Sequence, residues 1–289
     1  MRINRRSFLS LSAAALAAPG VEARERTRFR IGVTDWNLRK SSDPAAVELA
    51  SRCGFAGVQV ALGRELRDDK LPLDNPALQQ KYLAESKEHG VALTSTCVDR
   101  LHVNYLKNKS DELAARWVSD SIRITQALGL RVLLLPFFGK GAIEQRAEMD
   151  VVGDRLREIA PEAEGADVIL GLEDTISAED NLHIMERTQS PAVLTYYDIG
   201  NSTLKGFDPI QEIRLLGSER ICEVHIKDNP HFLGQGSINI PGVVDSMSET
   251  GFAEWAVLET TARKEAVVAD MKHNLGFFRQ AIDSHNAAA

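Results

Sequence analysis

Cysteine is scarce and scattered. Cys53, Cys97 and Cys222 are the only three in 289 residues, and no two stand in a Cys-x-x-Cys spacing. An odd count without paired spacing argues against a disulfide framework and leaves buried, unpaired thiols as the expected state. The lack of clustered thiols also removes a structural zinc site built on them. No Gly-x-Gly-x-x-Gly follows the first strand-like run, so a dinucleotide site has no support. The body of the chain has no basic patch, and its formal net charge is −7. Such a chain repels phosphate backbones, which argues against a general nucleic-acid binder. What is present is an apolar fraction of 44%, enough for a sizeable core. The length suits a single α/β barrel, and no linker is long enough to divide the body.

The first residues differ from the rest. Arg2, Arg5 and Arg6 precede a modest Ala-rich apolar stretch, and Val21-Glu22-Ala23 offers small residues where a signal peptidase reads. Arg5-Arg6 followed by Ser7-Phe8-Leu9 resembles the twin-arginine export signal of bacteria. Residues 1–23 are therefore expected to be a signal, with residues 24–289 as the barrel domain. The implied location is the periplasm or another exported compartment, without stable membrane insertion once the signal is gone.

From residue 29 onward, short β-branched runs alternate with longer amphipathic ones. Strands are expected at 29–34, 56–61, 91–97, 131–136, 168–173, 192–198, 221–227 and 254–259. Several are apolar almost throughout, as strands buried on both faces should be. Helical patterns occupy 43–52, 76–89, 110–128, 144–164, 178–189, 208–216 and 265–284, with a short irregular element near 240–250. Asp43-Pro44 and His89-Gly90 supply a start and a stop signal. Eight strands alternating with helices predict a (β/α)8 TIM barrel; an open doubly wound sheet is the alternative.

Glu173, Asp198, His225 and Glu259 stand at or near the C-terminal ends of the last four runs, spaced by 25, 27 and 34 residues. Side chains at those ends of a barrel face one active site. Three carboxylates and an imidazole converging on one point would repel one another without a cation among them. Three oxygens and one nitrogen suit a divalent ion, with Mn²⁺ expected first and Mg²⁺, Co²⁺ or Zn²⁺ as alternatives. Open positions on such an ion permit Lewis-acid chemistry on a carbonyl or hydroxyl oxygen.

The ordered set Leu172-Glu173, Asp198-Ile199-Gly200-Asn201, His225-Ile226-Lys227-Asp228 and Glu259 resembles the sugar phosphate isomerase/epimerase superfamily of xylose isomerase-like barrels. Gly54-Phe55-Ala56-Gly57-Val58-Gln59 and Leu233-Gly234-Gln235-Gly236-Ser237-Ile238-Asn239 resemble that family's early strand and its later glycine-containing loop. The resemblance spans roughly residues 29–282. It implies one divalent metal held by Glu173, Asp198, His225 and Glu259. It also implies Glu173 and Glu259 as an acid/base pair that moves a proton next to a carbonyl through a metal-stabilised enediolate. The implied substrate is a small carbohydrate, and for an exported enzyme an unphosphorylated one. A dehydratase or lyase using the same enolate is the close alternative, whether inosose dehydratase-like or cleaving 3-keto-glycosides. The chain departs from the 3-epimerases of this family at three places. Asn201 stands where they carry a substrate-binding His, Gln59 where many members have Glu, and no Arg follows His225 where they have one.

Further candidates for the substrate pocket are Trp36 after the first strand, placed to stack on a sugar ring, and His102 after the third. Asn201, Lys227 and His231 complete the set, with Lys227 orienting a substrate oxygen or supporting a ligand. Phe137-Phe138 follow the fourth strand and are placed to exclude water. Gly234 and Gly236 lack phosphate-loop spacing and predict a turn. An apurinic endonuclease would need further His and Asp ligands, and this chain has seven His in all. A non-catalytic sugar-binding barrel is a further alternative, opposed by the Glu173/Glu259 pair. A homo-oligomer is compatible with the sequence.

Overall fold

A computed structural model describes residues 26–289; the expected signal at 1–23 lies outside the described residues. Among these, the eight apolar runs become parallel strands: β1 Arg30–Thr34, β2 Gly57–Ala61, β3 Ala92–Cys97, β4 Val132–Pro136, β5 Ile169–Glu173, β6 Val193–Asp198, β7 Ile221–Ile226 and β8 Trp255–Leu258. They pair in sequence order and close, β8 returning to β1 with Arg30 opposite Trp255. The TIM barrel expectation holds, and the open sheet is set aside. Three unpaired, buried cysteines also match expectation.

Helices wrap the barrel: α1 Ala45–Cys53, α2 Pro76–His89, α3 Glu112–Ala127, α4 Arg146–Gly165, α5 Ala178–Thr188, α6 Ile199–Leu204, α7 Pro209–Leu216, α8 Ile240–Glu249 and α9 Val267–Ala288. Their starts are written locally. Asn75, Asp111, Ser177 and Asp208 each accept a backbone N–H of the first turn, and Pro76 and Pro209 take early helical positions where a missing N–H costs nothing. The element near 240–250 is not irregular. It is a regular helix whose Asn239 side chain accepts from Gly242 N–H, with Pro241 in its first turn. The short α6 was not anticipated: Asp198 ends β6 and caps this helix in the same step.

Register sets the level of the site. Asp198 pairs with His225 across β6–β7, Pro136 with Glu173 across β4–β5, and Ile226 with Leu258 across β7–β8. Glu259 follows directly, its N–H donating to Ile226 O at 3.0 Å. The four candidate ligands thus lie at, or within one residue of, the C-terminal ends of four successive strands.

Below them the barrel is packed, as TIM barrels are. The Arg30 guanidinium lies 4.0 Å over the Trp255 ring. The buried Glu223 accepts from the Ser95 hydroxyl at 2.7 Å and from the Tyr196 hydroxyl at 2.9 Å. Gly57 leaves room in this interior: a Cβ there would come within 2.5 Å of Thr94 Cγ2 and 2.7 Å of the Trp255 ring. Gly57→Ala is expected to overpack the interior and cost about 1–3 kcal/mol. Urea unfolding should show this as a lower midpoint at an unchanged slope.

Candidate metal centre

His225 organises the centre. It is fully buried on β7, its ring edge-on to Tyr196 at 4.6 Å between centroids. Its Nε2 lies 2.8 Å from Gln59 Oε1, and a carbonyl oxygen only accepts. That partner fixes the proton on Nε2 and leaves the Nδ1 lone pair facing the other way, as metal-ligating histidines are held. Around Nδ1 stand Glu173 Oε1 at 2.9 Å, Asp198 Oδ2 at 3.6 Å and Glu259 Oε2 at 3.6 Å.

The second oxygens of two carboxylates are already engaged. Asp198 Oδ1 accepts from Gly200 N–H at 2.8 Å and Asn201 N–H at 2.9 Å. Glu259 Oε1 accepts from the Trp36 indole at 2.8 Å. One atom from each of Glu173, Asp198, His225 and Glu259 faces the centre, and all four lie within 4.8 Å of one another. That spread suits one small divalent ion once the side chains close in slightly to ligand distances of about 2.0–2.2 Å.

Charge gives an independent test of fit. Lys227 Nζ sits 2.6 Å from Asp198 Oδ2 and 2.7 Å from Glu259 Oε2. With a neutral His225, three carboxylates face one ammonium. A divalent cation closes that deficit to neutrality, and a monovalent one does not. Without a metal, protons have to fill the gap. Burial pushes Glu173 up to about 7 against the opposing charge of His225. Burial works to lower His225, but Glu173 and Glu259 overrule it and push the imidazole up to about 10. Burial also works against ionised Asp198, yet Lys227 and His225 hold it well below the usual carboxylate range. Lys227 stays charged despite burial because Asp198 and Glu259 hold it.

Lys227 reaches this position because residue 200 is glycine. A Cβ at Gly200 would fall 2.5 Å from Lys227 Cγ. The glycine of the β6 motif is the bed on which the lysine of the β7 motif lies.

Above the cluster opens a cavity of about 890 Å³ whose walls include Trp36, His102, Phe138, Cys97, Glu173 and Glu259. Trp36 and His102 are therefore on the pocket, as expected, with His102 stacked on Phe138 at 6.2 Å. Burial, and then the nearby charge of Arg64, lowers the His102 pKa and favours its neutral form. Phe137 is core instead.

Two expected substrate contacts stand off the cavity wall. His231 is exposed and off the cavity wall, because the loop folds back where Asp228 accepts from Gly236 and Ile238 N–H. Gly234 turns there with φ 77°, so the glycine-containing loop is a turn. Asn201 contributes its backbone to Asp198, and its side chain is likewise off the wall. Lys227 stands at the cluster itself and lies against two of the carboxylates, the second of the two roles expected for it.

Sequence reasoning noted Gln59 only as a departure and missed its part in orienting His225. It missed Glu223 altogether. The signal available was the period of two along β7, which puts Glu223 on the same inward face as His225.

A family model described as xylose isomerase-like TIM barrel matches residues 47–281. Among solved structures, an L-ribulose 3-epimerase superposes with TM-score 0.72 at 18% identity, covering 90% of this chain and 96% of that one. The D-psicose 3-epimerase of Clostridium cellulolyticum H10, solved with D-tagatose, gives 0.73 at 15% identity, over 88% and 99%. A 3-keto-D-glucoside 4-epimerase from E. coli gives 0.69 at 15%, over 87% and 99%. At these identities the likeness is one of fold. No match was found among curated proteins.

Since an imidazole pushed up to about 10 must lose its proton to become a ligand, Mn²⁺ binding to metal-free protein at pH 7 should release a proton. Affinity should climb with pH and level off as pH approaches 10. Calorimetry in buffers of different ionisation enthalpy checks both. Gln59→Leu, which removes the acceptor for Nε2, should weaken metal binding about 10–100-fold.

Proposed function

We propose, from the premise that the chain belongs to the xylose isomerase-like TIM barrel family, that it is a divalent-metal-dependent carbohydrate isomerase or epimerase. It would act on an unphosphorylated sugar by proton transfer at the carbon next to a carbonyl. The observation that carries this reading is that Glu173 and Glu259, from β5 and from the residue after β8, both face His225 Nδ1, at 2.9 and 3.6 Å. Similar folds in an L-ribulose 3-epimerase, a D-psicose 3-epimerase and a 3-keto-D-glucoside 4-epimerase support it.

Glu173, Asp198, His225 and Glu259 would hold the ion, for which Mn²⁺ is the first choice. When bound, it supplies positive charge where a carbonyl oxygen gains negative charge. The chain's own residues do the rest. One glutamate takes the proton from the carbon, and the C–H electron pair forms the enediolate C=C as the carbonyl electrons move to oxygen. The other glutamate, having taken a proton from water, delivers it to carbon, where the C=C electron pair accepts it as the carbonyl re-forms. Return to the opposite face inverts the centre; return to the neighbouring carbon isomerises the sugar. The Trp36 N–H fixes Glu259, and the indole at the same time walls the pocket. His102 and Phe138 close the side over β3 and β4.

Glu173→Gln and Glu259→Gln should each reduce solvent deuterium incorporation into ketoses in D₂O by about 10²–10⁴-fold. Metal content and unfolding midpoint are measured alongside. Variants that retain both the metal and full exchange would overturn the assignment.

Export by residues 1–23 belongs to the same proposal. A reporter fused behind this segment should reach the periplasm, and Arg5→Lys with Arg6→Lys should abolish its export. Unchanged export of the double variant would refute the twin-arginine reading.

A further inference from the structure

The cavity over the cluster, about 890 Å³, is walled by the strand ends and also by residues of the loops after β1 and β2. Its inner end is made by Trp36, Glu173 and Glu259, and its outer end by Ser41, Arg64, Glu65, Arg67, Pro72 and Leu78. Leu78 belongs to the first turn of α2, so the space runs from the strand ends out over the helical layer. At about 890 Å³ it stands near the top of the range, about 300–1,000 Å³, in which drug-sized ligands sit. A single hexose on the cluster would fill only the inner end.

The outer end is built rather than incidental. Asp35, fully buried, accepts from both Ser42 N–H at 2.9 Å and Ala61 N–H at 3.0 Å, and the Ser42 hydroxyl donates to Ala61 O at 2.9 Å. These bonds staple the loop after β1 to the end of β2. Ser42 is held there at φ 57°, a left-handed conformation that serine rarely adopts.

The loop after β2 is pinned in the same manner. Asp99 Oδ2 accepts from Gly63 N–H at 3.2 Å, and Arg100 Nη1 donates to Arg64 O at 3.1 Å. Gly63 has φ 91°, and Pro72 packs where its Cβ would be. Further along, Arg67 and Lys70 exchange backbone hydrogen bonds across Asp68-Asp69, both at positive φ. Arg116 clamps that tight turn through Asp69 O at 2.9 Å and Oδ2 at 2.8 Å. The two loops are thus fixed to each other and by side chains from two other segments, while Ser41, Arg64, Glu65 and Arg67 are exposed at the wall. Hydroxyl and guanidinium donors beside a carboxylate acceptor, over the apolar plates of Pro72 and Leu78, match a ring bearing several hydroxyl groups.

We propose that the substrate is a glycoside: a keto-sugar unit sits over the cluster, and a second, neutral sugar residue linked to it occupies the outer arm between Ser41, Arg64 and Leu78. This rests on the carbohydrate reading of the centre and narrows it from a monosaccharide to a linked pair of sugars. Binding energy gathered on the remote residue is then available to orient the reacting carbon.

The test uses the Mn²⁺-loaded full chain with ketose monosaccharides, keto-disaccharides containing the same ketose, and an aryl glycoside of that ketose. Saturation-transfer NMR reads which protons touch the protein, and deuterium exchange in D₂O reads turnover. Contacts on both rings are expected, with kcat/KM for the disaccharide at least about tenfold above the monosaccharide, since truncated substrates lose rate. Arg64→Trp and Ser41→Trp, two independent fillings of the arm at exposed positions, should each lower that ratio about tenfold. Saturation confined to the ketose ring, equal kcat/KM for both sizes, a ratio untouched by both substitutions, or a stronger preference for the aryl glycoside would overturn the proposal. Contacts on both rings without any deuterium exchange would instead count against the proton-transfer function and leave the two-residue binding site standing.

Discussion

Everything at the mouth of this barrel depends on how the charge around His225 is settled. Three carboxylate oxygens lie within 3.6 Å of its Nδ1, and two of those carboxylates are almost entirely withdrawn from solvent. Burying an ion costs several kcal/mol even after relaxation, so such a group persists only when something repays that cost. Lys227 does part of this permanently. The remainder is left to an imidazolium in one state and to a divalent ion in the other. The two are mutually exclusive on the same nitrogen, so proton and metal compete for a single position. The same constraint explains why Gln59 is a carbonyl acceptor toward Nε2: it holds the ring in the tautomer that leaves Nδ1 to that competition.

The fold supplies the convergence at little local cost. β6 ends in Asp198, which caps α6 with one oxygen and offers the other to the centre. Glu259 is divided in the same way between the Trp36 indole and the cluster. These two carboxylates are each oriented by a donor on the far side, so their near oxygens are positioned before any ligand arrives. Beneath them the Ser95–Glu223–Tyr196 network fills the barrel axis and supports the His225 ring from below.

The barrel and the four ligands could be read from residue order because both follow from short-range patterns. Runs such as Val-Ile-Leu-Gly-Leu-Glu are apolar on both faces and end in one charged residue, which in a barrel identifies the strand and its catalytic end together. What escaped reading depends on side chains meeting from distant segments. Asn239-Ile240-Pro241-Gly242 looks like punctuation, yet its Asn caps and its Pro fits the first turn of α8. His231 follows closely on His225 but is carried away because Asp228 gathers the loop around itself. Lys227 reads equally as a substrate contact or as support for a ligand, and only the fold shows it lying against Asp198 and Glu259. The wall built by Asp35, Asp99 and Arg116 draws on four separated stretches of chain, and no local pattern announces it.

The Gly200–Lys227 packing ties two motifs into one device. A larger side chain in the first would evict the ammonium of the second, and the carboxylates would lose their standing counter-charge. In evolutionary terms the two positions are expected to drift as a pair rather than singly. A chimaera that borrows the loop after β6 from a relative with a bulkier residue inherits an electrostatic fault at β7, however well its backbone superposes. Transplanting this pocket onto another barrel therefore means moving both segments at once.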